Sequence, residues 1–107
     1  MALKKADVDV IIKKPYRGIY IFNRKILPSL ITVVIGKIDV EMDVYGPVWE
    51  DYTEYVVDGV VRYVDPFNNH TWTWDERLFF RHELKVVVHT ITGKTLEKSI
   101  KVWIFNL

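Results

Sequence analysis

Cysteine is absent from the 107 residues, so disulfides, thiolate metal sites and a cysteine nucleophile are excluded. Glutamine is also absent, and four asparagines and two serines stand beside a charged fraction of 27%. A chain poor in thermolabile residues and rich in Lys, Glu and Arg leans towards a hot-environment source. The five glycines are scattered, and none belongs to a phosphate-binding loop. Neither Ser29 nor Ser99 sits in a Gly-x-Ser-x-Gly elbow. No run reaches the ~18 apolar residues of a membrane span. "MALKKADVDVIIKKP" lacks the apolar centre of a signal peptide. Excess charge is missing too: 15 basic and 14 acidic residues give +1, too little to draw nucleic acid or anionic lipid.

What is present is apolar and alternating. Half the residues are hydrophobic and 14% are aromatic, which excludes a disordered tail. The length is that of one domain, 1–107, able to bury about 65% of its unfolded surface without staples. Residues 1–10 are expected to be a flexible N-terminal lead.

Period-2 alternation, the mark of a half-buried strand, recurs along the chain, and helical spacing is nearly absent. Strands are expected at Asp7–Lys13, Ile19–Phe22 and Leu30–Gly36. Lys37–Val44 turns Ile38, Val40, Met42 and Val44 to one face and Asp39, Glu41 and Asp43 to the other. "TEYVVDGVVRYVD" (Thr53–Asp65) holds two alternating runs that meet at Asp58-Gly59, the strongest short-range hairpin signal. Thr53, Tyr55 and Val57 are assigned to its inner face. "TWTW" (Thr71–Trp74) reads as a short strand and "DERLFFR" as one irregular or helical turn. The next strand, His82–Ile91, places Leu84, Val86 and Val88 inward. The last, Lys94–Asn106, places Ile100, Val102 and Ile104 inward. Seven to eight short strands with turns every 8–12 residues predict an all-β, antiparallel immunoglobulin-like β-sandwich in two sheets.

The segments Glu54–Gly59, Asp65, Trp72–Glu76, His82–Val88 and Ile100–Asn106 also resemble a known pattern. It is that of the immunoglobulin-like, fibronectin type III-like domains appended to surface proteins of archaea and bacteria. The resemblance spans roughly Ile11 to Asn106. It implies a spacer, adhesion or interaction module of a larger extracellular or cell-surface protein, without catalytic residues. Two loops depart from the pattern, "YGPVWEDY" before the hairpin and "HTITGKT" between the last strands.

Candidate chemistry is sparse. His82 and His89 are seven apart on one strand and point to opposite faces, and His70 is in a loop, so they do not converge on a metal. His82 falls where sandwich domains place a corner residue bonded to the backbone. Asp39, Glu41 and Asp43 form a row suited to a solvated face rather than to wrapping calcium. Trp72 and Trp74 are assigned to the core rather than to sugar stacking, and Trp49 is the better candidate for an exposed ring. Asn69-His70-Thr71 is an N-glycosylation sequon. Lys13 or Lys14 with Asn106 is the one pair that could cross-link terminal strands. No enzyme, cofactor or metal is expected.

If Val102 and Ile104 face inward, Trp103 and Phe105 cannot. With Val56, Val87 and His89 they compose the candidate contact face, bordered by Glu54, Lys85 and Lys101. Either it meets a neighbouring domain, another protein or a second copy, or Tyr16–Phe22 covers it. The expected function is a non-catalytic structural and interaction module; the alternatives are a self-assembling subunit and a carbohydrate-binding module.

Overall fold

The computed structural model describes residues 8–107. Positions 1–7, with the start of the expected first strand and most of the expected lead, lie outside the described residues. Ten strands follow: β1 (Asp9–Lys14), β2 (Gly18–Ile21), β3 (Arg24–Pro28), β4 (Val33–Ile35), β5 (Ile38–Tyr45), β6 (Glu50–Val57), β7 (Val60–Asp65), β8 (Thr71–Trp74), β9 (Leu78–Thr90) and β10 (Thr95–Asn106). Two sheets face each other, a small one in the order β1-β5-β8 and a large one in the order β3-β2-β4-β10-β9-β6-β7. The expected all-β sandwich is the fold, with more strands than the turn spacing suggested.

Alternation explains the elements that build the core. In β5, Ile38, Val40 and Met42 are buried while Asp39, Glu41 and Asp43 keep partial exposure. Thr53, Tyr55 and Val57 of β6, Leu84, Val86 and Val88 of β9, and Val102 and Ile104 of β10 close on them from the large sheet, all fully buried. Trp74 plugs the same core and stacks on Trp72 at 5.8 Å, which in turn meets Tyr55 at 5.6 Å. The β6–β7 turn has both central residues at positive φ, 51° for Asp58 and 81° for Gly59. That is the primed turn whose twist matches a hairpin.

Three expectations need correction. The irregular turn expected at Asp75–Arg81 is half strand: β9 begins at Leu78, because the end of β10 pairs Phe105 with Phe79 and Asn106 with Leu78. Asp75 to Arg77 remain irregular, and within the strand Phe80 stands apart at φ 74°. Strand β3 was not expected at all. It follows a tight turn at Phe22-Asn23, both at positive φ, a position where phenylalanine is unusual. Here Gly36, itself at φ 85°, leaves the room Phe22 occupies, since a Cβ there would meet its ring at 2.8 Å.

The third correction concerns Tyr16–Phe22. Its strand β2 runs parallel to β4, and β4 runs parallel to β10. The segment widens the large sheet in its own plane and does not lie over the outer face.

Candidate functional site

The parallel pairings help bring residues of five strands into one apolar surface. Register places Ile19 beside Leu27 and Val33, and Val33 beside Trp103. One pleat further, Ile21 adjoins Ile35, Ile35 adjoins Phe105, and Phe105 adjoins Phe79. Residues opposite in register share a face. The intervening row, Tyr20, Val34 and Ile104, is buried in the core, so these two rows face outward. Leu27, Ile35 and Phe79 are 49%, 38% and 45% exposed, against partial exposure for Trp103 and Phe105. Phe80 packs edge-on against Phe105 at 6.2 Å and closes the rim.

Of the five residues selected from sequence, Trp103 and Phe105 lie in these rows. Val87 and His89 share the outer face but lie towards the opposite end of β9. Arg81, Glu83 and Lys85, on the same face, stand between Phe79 and Val87. Val56, opposite Lys85 on β6, is only 7% exposed and offers little surface. His89 is engaged: its ring lies on Tyr52 at 4.3 Å, and Nε2 is 2.5 Å from Glu54 Oε1. The expected single face is thus two areas separated by charge. Sequence reasoning missed Ile19, Ile21, Leu27, Val33, Ile35 and Phe79, whose gathering depends on parallel pairings that no local pattern announces.

The other candidates fall into place individually. Each histidine binds a carboxylate on or beside β6: His70 Nε2 is 2.6 Å from Glu50 Oε1, and His82 Nδ1 is 2.5 Å from Asp58 Oδ2. His82 also reaches the Phe79 carbonyl at 2.8 Å, a bond to the backbone of the kind expected of it. Among the described residues no three metal-capable side chains converge. Asp39 accepts from Thr73 Oγ1 at 2.7 Å and from Asn23 Nδ2 at 2.8 Å. The Thr73 hydroxyl in particular holds its carboxyl below the usual range. Trp74 is fully buried and unavailable for stacking on a ligand, whereas Trp49 is 72% exposed. Asn69 is exposed beside β8. The Asn106 side-chain amide donates to Asp75 Oδ1 at 2.9 Å and to the Glu76 carbonyl at 3.1 Å. A groove of about 650 Å³ opens between β1 and β10, lined by Ile11, Tyr16, Lys98 and Ile100 among others.

No protein-family model matches the sequence, and no curated protein matches it. Solved structures do match in shape. The fibronectin(III)-like modules of Clostridium thermocellum CbhA superpose with a TM-score of 0.67 at 13% identity, over 94% of this chain and 47% of that one. The fold is fibronectin type III-like. An engineered protein matches this fibronectin type III-like chain with a TM-score of 0.62 at 19% identity, over 92% of it and 20% of the engineered protein. A Jonesia denitrificans lytic polysaccharide monooxygenase matches with a TM-score of 0.59 at 18% identity, over 77% of this chain and 61% of that one. The fibronectin type III-like chain spans about half the length of the CbhA structure and less than two thirds of the other two.

Proposed function

We propose that the chain is a non-catalytic interaction module of a larger extracellular or cell-surface protein. Its contact surface is the outer face of β2, β4, β10 and β9, and the occupant is a neighbouring domain. One observation carries this reading: the two apolar rows, with Leu27, Ile35 and Phe79 each more than a third exposed. Contiguous apolar surface of this kind is uncommon on free monomers and marks contacts. Its composition supports the reading. Trp103, Phe105 and Phe79 provide aromatic anchors, and Arg81, Lys101 and Glu83 provide a charged border, as at the centre and rim of interfaces. The fibronectin type III-like fold, met in a solved chain about twice as long, supports a place among other domains.

The double variant Ile35→Ser, Phe79→Ser tests this. The expected result has two parts. The isolated chain keeps its melting temperature, because both side chains are already partly in water. In the longer protein, small-angle scattering shows the flanking domain released, as a larger maximum dimension. A variant that loses stability in isolation makes the face part of this chain's own core and refutes the reading. Concentration-dependent sedimentation of the wild type, lost in the variant, makes the occupant a second copy instead.

A further inference from the structure

His82 has two acceptors against its ring: Asp58 Oδ2 lies 2.5 Å from Nδ1, and the Phe79 carbonyl lies 2.8 Å from Nε2. A neutral imidazole carries one N–H and satisfies one of these; only the imidazolium satisfies both. The site is complete only with a proton bound. Asp58 is fixed from its other side. Its Oδ1 accepts the Glu83 N–H at 2.9 Å, and its own N–H donates to the Glu83 carbonyl at 2.9 Å. The second arm of the ring ends on Phe79, next to Phe80 at φ 74°. An aromatic residue holds that backbone region only when its surroundings impose it. Phe79 and Phe80 both flank Phe105 at the rim of the apolar rows.

The other charged groups nearby are already engaged. Glu76 of the β8–β9 connection pairs with Arg62 of β7 at 2.9 Å, and Glu83 of β9 pairs with Lys101 of β10 at 3.5 Å. Asp58 is the carboxylate in contact with the ring. Its hydrogen bond foremost raises the proton affinity of His82 above that of an ordinary histidine.

We propose that His82 is a proton-operated latch on the contact face: the protonated ring ties the Phe79 carbonyl to Asp58, and loss of the proton frees the Phe79–Phe80 arm. The proton leaves to solvent, and one of the two ring hydrogen bonds leaves with it. Contact would then be favoured at mildly acidic pH and loosened at alkaline pH. That consequence rests on the contact-face reading; the latch itself does not.

An NMR titration of the isolated chain tests the latch without any partner. The His82 ring should titrate above a free histidine. The backbone signals of Phe79 to Glu83 should shift with the same midpoint. Their hydrogen-exchange protection, corrected for intrinsic base catalysis, should fall as pH passes that midpoint. His82→Gln should show low protection at every pH and no such shift. A His82 that titrates with Phe79 and Phe80 unmoved overturns the proposal, as does a His82→Gln chain that keeps the pH-dependent shift. The Ile35→Ser, Phe79→Ser experiment reads the contact face separately, so failure there leaves the midpoint, and the latch, in place.

Discussion

At Gly59 a Cβ would meet nothing within 4 Å, yet φ is 81°. Space and backbone energy therefore separate cleanly at this position. Gly59→Val should cost about 1–2 kcal/mol from left-handed strain alone, and an unchanged melting temperature would contradict the turn geometry. Trp74 is the opposite case. Its backbone is ordinary and its side chain fully buried, so Trp74→Ala should cost roughly 3–5 kcal/mol through lost contacts and a cavity. A near-wild-type denaturant midpoint would show the ring to be dispensable. The His82–Asp58 pair sets a pH dependence. Its histidine is raised, chiefly by the Asp58 bond, so its contribution is complete below ~6.5 and is lost as pH climbs through the folded value. Asp58 is lowered, chiefly by the Glu83 N–H, so its contribution is complete above ~3.9 and is lost as pH falls through its folded value. The pair is fully effective between those limits. Stability should decline modestly on either side, since Asp58 is half exposed. Urea midpoints across pH check this, and His82→Gln should flatten the alkaline decline.

Elements differ in how plainly the sequence announces them. β5, β6 and the inward sides of β9 and β10 follow from alternation, because each has one wet and one dry face, and the β6–β7 turn follows from Asp58-Gly59. β3 does not follow. All five of its residues are exposed, so it has no dry face to leave a pattern, and Pro28 reads as a breaker rather than a strand end. The start of β9 was hidden for another reason: its pairing comes from β10, far along the chain, and overrides the local signal. The apolar rows were half legible. Trp103 and Phe105 follow from parity within one strand, whereas their neighbours arrive through β2 and β4. Exposure also sets local stability. With Arg24, Lys25 and Pro28 on an edge strand bonded on one side only, β3 is guarded against edge pairing but weakly held. Limited trypsin digestion should cut first at Arg24 or Lys25, before any site in β9 or β10. Early cleavage at Lys85 would show the sheet interior to be the weaker part.

The whole molecule is a lopsided sandwich, in which a sheet of three strands faces a sheet of seven. The small sheet is the narrower of the two, and one flank of the large sheet ends in β3, whose five residues are all exposed, while Tyr20 of β2 and Val34 of β4 stay in the core. The exposed apolar residues Ile26, Leu27, Leu30 and Ile31 sit on or beside that flank. The apolar rows lie on the outer face of the large sheet, away from the small one, so they form an open surface rather than a cleft.

The place of β10 in the large sheet has a consequence for how the protein comes into being. The last strand described lies inside that sheet, between β4 and β9. During synthesis β2, β3 and β4 emerge early, yet the strand that joins them to the rest is the last of the ten to leave the ribosome. Until then β4 and β9 each expose an unpaired edge. Such long-range closure belongs to the slower all-β regime of milliseconds to seconds. It leaves an interval in which those edges are open to chaperones, or to the same strand of another nascent chain.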